Sequence, residues 1–177
     1  MAKGERMKLV QTKDVETVKR KYIEIIENTP EIEKHARWVY GKHPHDELLR
    51  SYIENGEMYL LTDGECIAGV TALTLYQGED YHPVRWAGDL ADDRVAVLHL
   101  LAACPEYRGK GAGRRIVEES LRIARENGKK ALRLDTLKSN LPAQRMYEGL
   151  GFSRRGEQHL YAENTGWTDF LYYERNV

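Results

Sequence analysis

The chain has 177 residues, 41% of them hydrophobic and 31% charged, with 27 Lys and Arg against 28 Asp and Glu. That size and mix suit one globular domain that buries about 70% of its unfolded surface without metal or disulfide support. A net charge of −1 excludes whole-chain steering toward nucleic acid, and no apolar run approaches the ~18 residues of a membrane span. Residues Met1–Arg6 hold no apolar stretch, so no secretory signal is expected. Cys66 and Cys104 make neither a disulfide framework nor a metal spacing. Reduced thiols in a cytoplasmic, metal-free protein are the expectation.

Met7–Thr12 reads as a short first strand. Thr12 or Asp14 then caps a helix whose Val15, Val18, Tyr22, Ile25 and Ile26 recur at helical spacing. Glu31–Glu54 reads as one or two more helices, broken at Gly41–Pro44. Glu57–Thr62 and Glu65–Tyr76, joined through Asp63-Gly64, form a predicted hairpin, followed by a polar loop over Gln77–Asp93. Arg94–Ala103 is a nearly continuous apolar run, as in a central strand covered on both faces. A glycine turn follows, then a helix over Gly113–Asn127 with Ile116, Val117, Leu121 and Ala124 in one stripe and Glu118/Arg122 at pairing distance. Ala131–Thr136 is the next strand, Leu141–Gly149 a short helix, and Phe152–Tyr161 with Trp167–Glu174 an antiparallel closing pair.

Function is sought in the turn Arg108-Gly109-Lys110-Gly111-Ala112-Gly113. Alternating glycines let bare backbone N–H groups approach a ligand, and the helix beginning there adds unpaired donors and the positive end of its dipole. Arg108, Lys110, Arg114 and Arg115 add charge suited to a pyrophosphate. A P-loop is excluded, because Gly109-Lys110 is followed by Gly111 and no hydroxyl is placed for Mg²⁺. A nicotinamide dinucleotide site is the alternative, with Asp135 as the ribose-binding acid. Its glycine spacing is wrong, and about forty residues after Asp135 are too few for a doubly wound sheet.

Arg108-x-x-Gly111-x-Gly113 resembles the Q/R-x-x-G-x-G/A signature of the GCN5-related N-acetyltransferase (GNAT) superfamily, as does the later run Asn140-Leu-Pro-Ala143-x-x-x-Tyr147-x-x-Leu150-Gly151-Phe152. The detailed match covers Val95–Phe152; the N-terminal third matches in element order alone. The resemblance implies one α+β domain over residues 1–177. Its sheet would be mixed, mostly antiparallel and twisted, with about six to seven strands, a central parallel pair between the fourth and fifth, and helices on both faces.

The activity implied is acetyl transfer from acetyl-CoA to a primary amine by direct attack within a ternary complex. By the resemblance, amides of Arg108, Gly109, Lys110, Gly111, Ala112 and Gly113, with Arg114, hold the CoA pyrophosphate. A bulge in the preceding strand frees Leu101, Ala102 and Ala103 to pair with pantetheine, and an N–H near Leu101 polarises the thioester carbonyl. Asn140 and Ala143 help hold the cofactor. Tyr147 sits near the sulfur and protonates the departing thiolate.

The reaction also needs a base, and His99 stands two residues before Leu101 with an ordinary pKa near 6.5. If Leu98 and Leu100 share one face, His99 points to the other; it is either this base or a packed core residue. Cys104 has no orienting partner in the sequence and reads as structural. His43-Pro44-His45-Asp46 lacks a third metal ligand, leaving Asp46 as a helix cap. The amine acceptor, a small molecule or a peptide, would meet the first helices, the Gln77–Asp93 loop and the last hairpin. With its acidic residues, Tyr81 and Trp86, that segment is either an ordinary exposed loop, the favoured reading, or a charged, aromatic rim for a cationic amine. A CoA-binding module without catalysis stays open, and the C-terminal strands are free to pair across a homodimer.

Overall fold

The computed structural model describes residues 7–177; the segment 1–6, where no secretory signal was expected, lies outside them. Seven strands, β1 (Lys8–Gln11), β2 (Met58–Asp63), β3 (Cys66–Thr74), β4 (Val95–Ala103), β5 (Ala131–Leu137), β6 (Ser153–Ala162) and β7 (Gly166–Asn176), form one sheet in the order β1-β2-β3-β4-β5-β7-β6. Only β4 and β5 run parallel. The helices are α1 (Val15–Glu27), α2 (Ile32–His35), α3 (Asp46–Glu54), α4 (Ala112–Glu126) and α5 (Leu141–Gly149). The expected α+β architecture, with a mixed sheet, is therefore present.

Both faces of the sheet are apolar, so each needs a helical cover. On one face Ile116, Val117 and Leu121 of α4 pack on Leu61, Leu98, Leu132 and Leu134. On the other, Val18 and Tyr22 of α1 and Leu49 and Ile53 of α3 pack on Val70, Ala72, Leu100 and Ala102. Local chemistry sets the helix ends. Asp14 caps α1, its carboxylate accepting from the Thr17 N–H at 3.0 Å. The Glu118/Arg122 pair does not form: Arg122 bonds Glu119 and Glu126, and Glu118 turns back to Arg114 and Arg115. Arg122 has acids a turn away on both sides, and the strongly buried Glu119 draws it inward.

The Gln77–Asp93 segment is largely an exposed loop, with Glu79, Asp80, Asp89 and Asp93 at the surface, but its aromatics turn inward. Tyr81 is 1% exposed and packs with Val84 on Val95, Val97 and Tyr172. Trp86 stacks on Tyr81 with the rings 8° apart, and the Arg133 guanidinium lies 4.1 Å from the Trp86 ring centre. The chain's own arginine thus takes the aromatic face that a rim would have offered a cationic amine. Arg133 is itself fully buried and faces Glu174 across the β5/β7 register, with Nε donating to Oε2 at 2.8 Å.

One feature of β4 positions everything that follows. Its register with β3 runs Ala72↔His99 and then Val70↔Ala102, so Leu100 and Leu101 together oppose Thr71. Leu100 adopts φ 52°, a left-handed conformation costly for a branched side chain. The Tyr22 hydroxyl donates to the Leu100 carbonyl and the Thr71 hydroxyl to the His99 carbonyl, both at 2.8 Å. The extra residue resets the alternation of faces. Leu98 accordingly joins the α4 core and Leu100 the α1/α3 core, which overturns the expectation that they share a face.

Candidate active site

β4 and β5 stay paired from Val95↔Ala131 to Leu98↔Leu134 and then part, because the bulge turns the rest of β4 away. A cavity of about 480 Å³ opens between them. Its lining draws on β4, the glycine turn, β5 and the start and body of α5, among them His99, Leu101, Ala102, Ala103, Arg108, Asn140 and Tyr147. Residues expected from two separated motifs therefore meet in one cleft.

The turn itself is open. Gly109 (φ 68°) and Gly111 (φ 85°) adopt left-handed conformations, and a Cβ on either would meet nothing within 4 Å. Gly111 caps α4 with no side-chain bond to the first turn, so amides at Ala112, Gly113 and Arg114 are left for an anion. The four basic side chains do not converge. Arg108 reaches into the cleft and donates to the Thr29 hydroxyl at 2.6 Å. Lys110 lies beside Asp63 and Cys66 in a separate depression, and Arg114 pairs with Glu118 at the surface. Arg115 donates to the Met7 carbonyl and pairs with Glu119, tying α4 to the chain before β1. Asn140 caps α5, its Oδ1 accepting from the Ala143 N–H at 3.2 Å, and the residue lines the cleft.

Tyr147 is 6% exposed, held between the rings of Phe152 and Tyr173. Its hydroxyl has no hydrogen-bond partner among the described residues, and burial with nearby Asp135 raises its pKa well above the ordinary tyrosine value. It stays protonated at any working pH and has a free donor. His99 lies on the cleft floor, its Nε2 3.4 Å from the Thr74 hydroxyl and its ring beside Tyr52. Burial, reinforced by His43, lowers its pKa to about 4. A histidine near 6.5 unfolded and about 4 folded takes up its proton in the unfolded chain first. Stability is therefore full above about pH 6.5 and falls as pH drops toward 4, by about 3 kcal/mol from this group. Urea melts across that range should show the decline, and His99→Gln should flatten it; equal slopes would place His99 in contact with water.

Asp135 is the carboxylate that sequence alone could not place. It is buried in the same cleft, where the Tyr81 hydroxyl donates to it at 2.5 Å and burial raises its pKa. It faces away from α4, since its neighbour Leu134 packs in the α4 core. An acid turned from the glycine turn, in a sheet with one parallel pair, does not fit the dinucleotide alternative.

The far end of the cleft is built by Ile32, His35, Trp38, Tyr52, Asn164 and Phe170, from the first helices and the last hairpin as expected. No residue of Gln77–Asp93 lines it; that segment only supports Asp135 from behind through Tyr81. These positions carry no motif, and only the helical and hairpin context hinted at them. Cys104 is fully buried, and burial pushes its thiol up to about 11, in keeping with a structural role. His45, not Asp46, caps α3, its Nδ1 accepting from the Leu48 N–H, while Asp46 bonds Lys19 and Tyr40. Among the described residues no group of three or more His, Cys, Asp or Glu could hold a metal.

Comparison with known proteins agrees with this geometry. The sequence profile of the acetyltransferase (GNAT) family matches residues 23–152. The chain is 29% identical over 99 residues to an uncharacterised N-acetyltransferase of Archaeoglobus fulgidus, covering 56% of this chain and 60% of that protein. It spans less than two thirds of the length of each such curated relative. The fold superposes on a ribosomal-protein-alanine N-acetyltransferase from Brucella melitensis with TM-score 0.70 at 17% identity, over 96% of this chain and 99% of that one. It also superposes on yncA of Salmonella typhimurium, solved with acetyl-CoA, with TM-score 0.69 at 14% identity, over 97% and 94% of the two chains. A profile match over most of the chain, on a sheet that parts at the bulge of β4, makes this protein a member of the acetyltransferase (GNAT) family.

Proposed function

We propose that the protein transfers an acetyl group from acetyl-CoA directly to a primary amine in the cleft between β4 and β5. One observation carries the reading: the parted strands bring the uncapped start of α4, the free β4 backbone, His99 and Tyr147 to a single cavity. The pyrophosphate of CoA would lie on the free amides of the turn and the α4 start, Gly109 and Gly111–Arg114, with the Arg108 side chain beside it. The Arg108 and Lys110 amides, expected to join them, already donate to the Pro105 and Tyr107 carbonyls. Pantetheine would pair with Leu101–Ala103 as β5 does with the first half of β4. The Leu101 N–H then receives the charge that develops on the thioester oxygen.

The amine nitrogen attacks the carbonyl carbon, forming the C–N bond and an oxyanion. Collapse breaks the C–S bond, and the sulfur leaves with the electron pair, taking the Tyr147 hydroxyl proton as that hydroxyl is re-protonated from solvent, so that Tyr147 ends the cycle neutral. The surplus proton on nitrogen passes to His99, directly or through water, and on to solvent. A base near pKa 4 cannot deprotonate a free ammonium near 10 at useful cost, since six units amount to about 8 kcal/mol. His99 therefore orients the neutral amine and takes the far more acidic proton made by the attack. No acyl-enzyme is involved, as Cys104 is buried and held protonated.

Thermal melting with acetyl-CoA, CoA and NAD side by side tests the cofactor assignment. A ligand at a hundred times its Kd adds about 2.7 kcal/mol, roughly 5–10 °C here. Shifts with both CoA compounds and none with NAD are expected; a shift with NAD alone would overturn the reading.

A further inference from the structure

The acceptor end of the cleft carries its own chemical signature. Its walls are mostly apolar or uncharged: Ile32, Trp38, Tyr52 and Phe170 supply hydrophobic surface, and Asn164 and Thr165 supply uncharged polar groups, while the His35 ring also lines it and faces Glu31, Nε2 to Oε2 at 3.9 Å. Asp135 is the sole acid lining the cavity among the described residues. Its protein partner is the neutral Tyr81 hydroxyl, with no cation beside it. Arg108 is the sole Lys or Arg on the lining, and it stands at the cofactor end, bonded to Thr29. His43 and His99 are held neutral by burial.

The walls are also tied to one another. The Asn164 side-chain nitrogen donates to the Arg37 carbonyl at 2.9 Å, and the Arg37 guanidinium donates back to the Thr165 carbonyl at 3.2 Å. On the other side the Ser139 hydroxyl donates to the Lys34 carbonyl at 2.5 Å. The segment around α2 is thereby laced to both the β6–β7 turn and the β5–α5 loop. A cavity of about 480 Å³ lies at the small end of ligand sites and must hold the acyl-pantetheine arm as well.

Resting on the transferase reading above, we infer that the acceptor is a small monoamine with an aromatic or apolar body and no second charge, its amino group received beside Asp135 and its body against Trp38, Tyr52 and Phe170. Each competing class fails on a specific group. An amino acid would bury a carboxylate with no Lys or Arg at that end to meet it, His35 facing Glu31 instead. A polyamine would bury a second ammonium with no second acid. A polypeptide would need the laced end of the cleft to open.

The test compares phenethylamine, phenylalanine, spermidine and an alanine-initiated hexapeptide as acceptors, reading CoA release. Calorimetry of phenethylamine into CoA-saturated protein runs alongside. Expected is a kcat/KM for phenethylamine at least about tenfold above the other three, the size of one lost charge pairing, and saturable phenethylamine binding that Asp135→Asn abolishes while CoA binding persists. Preference for the peptide, the polyamine or the amino acid would overturn the inference and leave acetyl transfer intact. Binding of phenethylamine with no turnover of any amine would support the acceptor site and overturn the transferase reading. Absence of both binding and turnover with phenethylamine would overturn the inference, and acetyl-CoA binding would then report on the cofactor site separately.

Discussion

Tyr147→Phe should lower kcat by about 10²-fold or more, the usual weight of a positioned acid, while acetyl-CoA affinity and melting temperature stay essentially unchanged. The substitution keeps the ring packed between Phe152 and Tyr173. It removes one hydroxyl that bonds nothing among the described residues and that burial keeps protonated at rest. A purely packing tyrosine would give the opposite pattern, with unaltered turnover. Steady-state kinetics beside calorimetry of acetyl-CoA separates the two, and an unchanged kcat would remove Tyr147 from the chemistry.

The second large effect concerns the fold. Glu174→Ala should destabilise the protein by about 3–5 kcal/mol, or roughly 6–20 °C, because it leaves a buried guanidinium without its counter-charge. Arg133 is 1% exposed in the middle of β5. Glu174 meets it from β7 and also accepts from the Ala87 N–H at 3.1 Å and pairs with Arg155 at 3.3 Å. One carboxylate thus joins two central strands to the Gln77–Asp93 segment. Replacing both partners, as in Arg133→Met with Glu174→Leu, should recover part of the loss by removing the unpaired buried charge, the rest staying lost because the Ala87 N–H, Gln77 and Arg155 then lack their partners. Urea denaturation decides it; a Glu174→Ala loss under about 1 kcal/mol would show that water reaches Arg133.

The sequence displayed the cofactor half of the cleft far better than the acceptor half, for a physical reason. Phosphate binding by backbone amides requires glycines and a helix start at fixed offsets, so Gly109, Gly111 and Gly113 stand out in any reading. The other end of the cleft is built of single side chains from the α2–α3 region and the last hairpin, such as Trp38, Tyr52 and Phe170, which look like ordinary core residues until the fold assembles them. Strand alternation misled where β4 breaks it: nothing in Leu98-His99-Leu100 announces a left-handed Leu100 held by Tyr22 from 78 residues away. The Gln77–Asp93 segment allowed a rim reading because its acids are frequent. Its aromatics instead close over Arg133, a partner set only by the sheet register.

Direct transfer is the central claim, and intact-protein mass spectrometry tests it most directly. The protein mixed with acetyl-CoA alone should keep its mass, and adding phenethylamine should release CoA and acetylated amine in equal amounts. A mass increase of one acetyl group on the protein before any amine is added, discharged when the amine arrives, would contradict the account and point to a covalent intermediate.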